Sequence, residues 1–237
     1  MLWDPVISLL EECGMEAGPV LPRLEKHLAL LLERGRKEGL TSYKTPEEMI
    51  CHHFLDSLQL ARFAGPAGEE KWIDVGSGAG FPGWPLRVVW PLHSLLSVDS
   101  RRKAGRFLDM VLAAIGSTRK PGDSVQVGRA EKLGREPGLR ERFDVGVARA
   151  VAQPPVALEY LLPFVRPGGT AYLWVGPSFK RGTIENALDH LGGELSAMNS
   201  YELPRTLRPR FILEIKKRKP TPQRYPRTAG IPRKRPL

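Results

Sequence analysis

Cysteine is scarce in this chain of 237 residues: Cys13 and Cys51 are the only two, and they lie far apart. No disulfide framework and no thiolate metal spacing can be built on them, so the expected setting is reducing and cytoplasmic. No run approaches the roughly 18 consecutive apolar residues that a membrane-spanning helix requires. The opening MLWDPVISLLEECG puts no basic leader before its short apolar run, which argues against a secretory signal. His52 and His53 are adjacent and no HExxH pattern follows, so no metal is expected. Disulfide scaffolds, membrane spans and zinc hydrolases are set aside on these grounds.

Acids are missing from one region in particular. Residues 216–237, KKRKPTPQRYPRTAGIPRKRPL, hold nine Lys or Arg and no Asp or Glu. The other 27 basic residues face all 26 acids, so the net charge of +10 is concentrated at one end. Such a block points to a polyanion, held first through phosphates without regard to base sequence. With five prolines, the segment is not expected to form a compact element.

What remains is an ordinary globular composition, 41% hydrophobic, with a clear rhythm. Val20, Leu21, Leu24, Leu28, Leu31 and Leu32 recur at helical spacing. A second helix should start near Thr45, with Pro46 at its first position and Glu48 completing a capping box. It should carry Ile50, Phe54, Leu58 and Ala61 on one face. After the linker GPAGEE, apolar runs at 72–75, 95–98, 124–127, 143–148 and 170–175 alternate with helical stretches at 84–90, 101–115, 131–141, 155–164 and 183–191. That alternation predicts a parallel sheet with helices on both faces. RFILEIK, with SAMNSYELP as its partner, reads as an antiparallel strand at the end. The expected divisions are a helical region at 1–64, a ligand-binding α/β domain at 65–219 and a basic tail at 220–237.

The stretch WIDVGSGAGFPG, residues 72–83, fits two cofactor loops. Gly78, Gly80 and Gly83 match the dinucleotide fingerprint; Asp74, Gly76, Gly78 and Gly80 match a D-x-G-x-G-x-G loop. Asp99, ending LLSVDS, can accept from both hydroxyls of an adenosine ribose in either case. Charge separates the two. A pyrophosphate needs free N–H groups at the helix start, where Asp74 would repel it and Pro82 removes a donor. S-adenosylmethionine carries an ammonium and a sulfonium, and an acid at the strand end suits both.

DVGSGAGFPG, with HFLDSL (53–58), GRAE (128–131), ARAVA (148–152) and YPRTAGIPRKRPL (225–237) in that order, resembles the RsmG (GidB) family. The resemblance runs from about residue 40 to the end. It implies a Rossmann-like class I methyltransferase that uses S-adenosylmethionine to methylate N7 of a guanine in the decoding-region loop of 16S rRNA. It also implies that Gly76, Gly78 and Gly80 line the methionine part of the cofactor, Asp99 the ribose, and Ala130 and Glu131 the adenine. Arg149 should point into the catalytic cleft and reach the cofactor, with His53 and Asp56 in a helix closing over the site. Asp74 and Phe81 join the cofactor-binding set.

Guanine N7 carries no proton, so its methylation needs in-line placement and no general base. Base stacking falls to Phe81, Trp84 and Arg149, although Phe81 and Trp84 suit a hydrophobic core equally well. The chain departs from the family pattern at Val175, where a Lys before Gly176 is usual, and at Gly39, usually Asn. Lys180 or Arg181 can restore the charge at a different place. The competing readings are a weakened RNA-binding or ribosome-assembly protein, a methyltransferase with another substrate and, more distantly, an NAD-dependent oxidoreductase.

Overall fold

A computed structural model describes residues 2–66, 68–90, 94–115, 122–204 and 209–237. The strands are β1 (Lys71–Val75), β2 (Ser94–Asp99), β3 (Ser124–Val127), β4 (Phe143–Arg149), β5 (Val165–Val175), β6 (Gly193–Tyr201) and β7 (Arg210–Lys217). They form one sheet in the order β3-β2-β1-β4-β5-β7-β6. The first five are parallel, and β7 runs antiparallel to both β5 and β6. The direction of winding reverses between β1 and β4, which opens a crevice at their C-terminal ends.

Around the sheet lie α1 (Asp4–Glu12), α2 (Leu21–Leu30), α3 (Pro46–Met49), α4 (Asp56–Leu58), α5 (Gly83–Val89), α6 (Arg102–Ile115), α7 (Ala130–Leu133), α8 (Pro154–Leu161), α9 (Glu185–Leu191) and α10 (Ile231–Lys234). A π-helical stretch, Ile50–Leu55, joins α3 to α4. Thr45 and Glu48 form the expected capping box. The opening segment, within the region expected to be helical, is α1, whose Val6, Leu9 and Leu10 are buried. One detail differs from expectation. The helix expected over 131–141 ends at Leu133 and gives way to turns, as Gly134, Pro137 and Gly138 favour.

Period-two alternation sorts the strands between two cores. Trp72, Val145, Val147, Tyr172, Trp174 and Ile212 join α1, α2, α5 and α6 in one cluster. Ile73, Val75, Val98, Leu173, Val175 and Leu213 join α8 and α9 in the other. The first 64 residues therefore supply a layer of the same core. No helix among the described residues is long and apolar enough to cross a membrane.

The expectation that the tail is not compact is wrong. Thr221, Tyr225 and Pro232 are buried. Arg140 donates to the carbonyls of Thr221 and Tyr225 at 2.5 and 2.8 Å, and Arg135 to that of Pro226 at 2.8 Å. The prolines assist this arrangement: they bring no backbone donor to satisfy, only carbonyls, and the two arginines supply the donors. Several charges of the basic block are paired with acids elsewhere in the chain: Lys217 with Glu141, Arg218 with Glu194 and Arg227 with Glu159.

Candidate active site

The glycine loop follows β1 directly. Gly76 has φ 79°, and a Cβ there would fall 2.5 Å from Val151 Cγ2, so only glycine lets the loop pass the end of β4. Gly83, at the start of α5, is equally tight: its Cβ would lie 2.6 Å from Asp74 Oδ2. That closeness lets the Gly83 N–H donate to Asp74 at 2.9 Å. Asp74 is fully buried beneath the loop, and burial pushes its carboxyl up to about 7. It clamps the loop from below and does not line the cavity above, contrary to the direct contact expected of it.

That cavity, about 400 Å³, lies outside the C-terminal ends of β1 to β4. Gly76, Asp99, Ala130 and Glu131 line it as expected, and so do Arg101, Val151, Tyr160 and Arg233. Asp99 accepts from Gly78 N–H and Arg101 N–H, each at 2.9 Å, and from Arg101 Nε at 3.2 Å. The Arg101 side chain is half exposed. A diol displacing it would find lone pairs on a carboxylate already fixed by two backbone donors. The volume falls within the range of small-ligand sites, and the glycine cradle and the acid at the end of β2 fit an adenosine ligand. Gly78, Gly80 and Phe81, expected at the cofactor, do not line this cavity.

Phe81 and Trp84 are core residues, which removes them as stacking platforms for a base. Phe81 is sandwiched between His27 and His53, with ring centroids 4.8 and 4.5 Å away. His27 Nε2 lies 2.7 Å from Ala79 O, so Nε2 carries the proton and the ring ties α2 to the glycine loop. Burial pushes His27 down to about 4. Nothing in the sequence singled out this histidine beyond its place on an apolar helix face.

Arg149, His53 and Asp56 do converge. Arg149 Nη1 donates to Asp56 Oδ2 at 2.5 Å and to the carbonyls of His52 and His53 at 3.1 and 3.3 Å. Tyr201 OH donates to Asp56 Oδ1 at 2.6 Å, Trp174 Nε1 to the Asp56 carbonyl at 2.9 Å, and Arg210 stands 3.5 Å from Oδ1. His53 offers Nδ1 towards Arg149 and Nε2 to Thr41 Oγ1 at 2.8 Å. Burial, then the charge of Arg149, push His53 down to about 2 and keep it neutral. Burial first and Asp56 second push the Tyr201 hydroxyl far above its usual range.

Arg149, Asp56, Trp174, Tyr201 and Arg210, but not His53, border a second cleft, about 440 Å³, that also includes Val175, Gln153 and Lys180. Ala150 belongs to both clefts and holds φ 55°, a left-handed conformation uncommon outside glycine. Tyr201, Trp174 and Arg210 were missed by sequence reasoning. The register pair Tyr201↔Arg210 was within reach once the final hairpin was recognised.

A doubly wound sheet with this strand order, an adenosine-sized cavity over a glycine loop and an adjoining cleft lined by Arg149, Lys180 and Arg210 define an S-adenosylmethionine-dependent methyltransferase. Solved structures share the fold: a ribosomal protein L11 methylase from Lactobacillus delbrueckii has TM-score 0.53, 16% identity and coverage of 71% of this chain and 79% of its own. A SAM-dependent methyltransferase from Methanosarcina mazei gives 0.52, 15%, 68% and 97%. The chain belongs to the GidB family, rRNA small subunit methyltransferase G, whose family profile matches residues 21–188. Its relatives named ribosomal RNA small subunit methyltransferase G include that of Symbiobacterium thermophilum, 40% identical over 97% of each chain. The one from Alkaliphilus oremlandii is 41% identical over 91% of this chain and 90% of its own.

Proposed function

We propose that the chain transfers the methyl group of S-adenosylmethionine to N7 of a guanine in the decoding-region loop of 16S rRNA, acting in the cytoplasm on the rRNA or the small ribosomal subunit. The observation that carries this reading is the meeting of two clefts at Ala150, one adenosine-sized and one lined by Arg149, Lys180 and Arg210. The cofactor supplies an electrophilic methyl on sulfur, and transfer leaves the positive charge on the guanine ring. Gly76, Asp99, Ala130 and Glu131 are assigned to holding it. Asp74 and Gly80 act through the loop's shape.

Among the described residues the site offers no free general base. Both nitrogens of His53 are engaged, and Asp56 is committed to Arg149 and Tyr201. An N7 acceptor has no proton to lose, so nothing is missing. Arg149 is held rigid by its bonds to Asp56 and two carbonyls, and sits 5.5 Å from the Phe81 centroid. It is assigned to orienting the RNA at the junction of the clefts, where placement supplies the rate. Lys180 sits in the acceptor cleft beside Val175 and is assigned the phosphate contact that position 175 cannot make.

The test is incubation with labelled S-adenosylmethionine and small-subunit rRNA or subunits lacking the modification, followed by borohydride–aniline cleavage. A single new cleavage at a labelled guanine is expected. Cofactor binding without a cleavable guanine would overturn the catalytic reading in favour of a binding protein.

A further inference from the structure

The residues from Pro220 onward reach the cofactor cavity by a specific route. Arg227 donates to the fully buried Glu159 of α8 from its backbone N–H at 2.7 Å, from Nε at 2.9 Å and from Nη2 at 2.5 Å. Three residues on, the Gly230 N–H donates to Glu131 Oε1 at 3.0 Å. Glu131 is itself on the cavity wall, at the start of α7. α10 then turns the chain so that Arg233 Nη2 donates to the Val151 carbonyl at 3.2 Å and the side chain becomes part of the same wall. The charged groups acting on the Tyr160 hydroxyl, also on that wall, are Glu131, Arg233 and Arg129.

We propose that residues 220–237 are a strap closing the adenosine side of the cofactor cavity, with Arg233 as a cofactor-contacting residue; this rests on the cofactor reading above. The chain needs an anchor, a hinge on the wall and a reaching group, and it has one of each: Arg227, Gly230 and Arg233. Glu159 lies within α8 with no exposure to water, so its charge requires a partner, and the tail is what supplies it. A planar guanidinium beside Glu131 is suited to lie against, or donate to, the flat adenine ring. The exposed side chains of Lys234 and Arg235 remain for RNA phosphates. The tail thus divides its charge between building the cofactor site and meeting the nucleic acid.

Arg233 is exposed, so Arg233→Gln should fold as the parent does. Calorimetry with S-adenosyl homocysteine on the full chain should show affinity reduced about tenfold, as for loss of a charge-assisted contact. The double variant Lys234→Gln/Arg235→Gln should keep that affinity and lose affinity for RNA. Adding S-adenosyl homocysteine to the unmodified protein should slow hydrogen exchange across residues 228–235. An Arg233→Gln affinity within twofold of the parent, or a tail whose exchange ignores the ligand, overturns the strap alone. Failure of the unmodified protein to take up S-adenosyl homocysteine overturns the cofactor reading first and this inference with it.

Discussion

Two sides of the paired clefts are made in different ways. The glycine-loop wall is local: Asp74 clamps Gly83 nine positions away, and Gly80 donates to Ser77 at 2.7 Å. The opposite side is assembled across the chain. Arg149 meets Asp56 over 93 positions, Arg227 meets Glu159 over 68, and Gly230 meets Glu131 over 99. The local wall needs residue types that tolerate an unusual backbone. The assembled wall needs pairs of buried charges, each a liability without its partner. The contrast implies that damage to the loop should register mainly in ligand binding, and damage to the distant pairs in stability and binding together.

The largest effect should come from Asp56→Ala. It strands Arg149 and the Tyr201 hydroxyl in a nearly water-free setting. A loss of about 3–5 kcal/mol is expected in denaturant unfolding, together with near-complete loss of methyl transfer. An unchanged unfolding midpoint would show that the assembled wall is no more stability-bound than the loop, and the comparison would collapse.

Next comes Asp99→Ala, on the local side. Calorimetry should show binding of S-adenosyl homocysteine weakened by roughly 1.5–3 kcal/mol. The cost in stability should be the smaller of the two effects. A stability loss as large as that of Asp56→Ala would erase the distinction between the walls.

The same contrast explains what could be seen in advance. The glycine loop, Asp99 and the strand–helix rhythm depend on spacing and residue type over short windows, which a sequence displays directly. Val75–Gly76 and Thr45–Pro46 could be placed for that reason. Asp56 and Arg149 carried no local sign of meeting and came only through the resemblance. The tail misled because charge and proline content describe a segment by itself, while its order comes from Glu159, Arg135 and Arg140, all in other elements. His27 was hidden for a related reason. A histidine at core spacing has no feature that distinguishes it from a packed neutral ring until the loop carbonyl it serves is in place.

His27 gives a third, smaller test that ties the N-terminal layer to the loop. Its folded pKa is near 4 against an ordinary 6.5, so the unfolded chain binds the proton first. Its contribution is complete above about pH 6.5 and is lost as pH falls towards 4. At pH 5 the loss amounts to about 2 kcal/mol, at 1.36 kcal/mol per pH unit. His27→Gln keeps a donor for the Ala79 carbonyl and removes the titration. The difference in unfolding free energy between parent and variant should therefore shrink by that amount between pH 7 and pH 5. Asp74 shifts the opposite way, but it is common to both proteins and cancels. A difference that stays flat with pH would mean His27 is not the buried neutral link that the loop depends on.

The smallest effect sharpens the comparison at the acceptor cleft. Val175 sits in the α8/α9 hydrophobic cluster while bordering the cleft, whereas Lys180 is an exposed loop residue on the same border. A cation on an exposed loop can meet a phosphate without being desolvated, which a lysine packed at position 175 could not do as cheaply. Lys180→Ala should leave stability within about 0.5 kcal/mol of the parent and S-adenosyl homocysteine binding unchanged. RNA affinity should fall modestly. The log–log dependence of that affinity on salt should flatten by about 0.7, the release expected for one phosphate contact on a single strand. Parallel salt plots for parent and variant would place Lys180 among solvated loop charges and leave Arg149 and Arg210 as the cleft's only cations facing the RNA among the described residues. A flatter plot would show that the cation missing at position 175 is supplied five residues later, from a loop whose role is fixed by where the fold brings it.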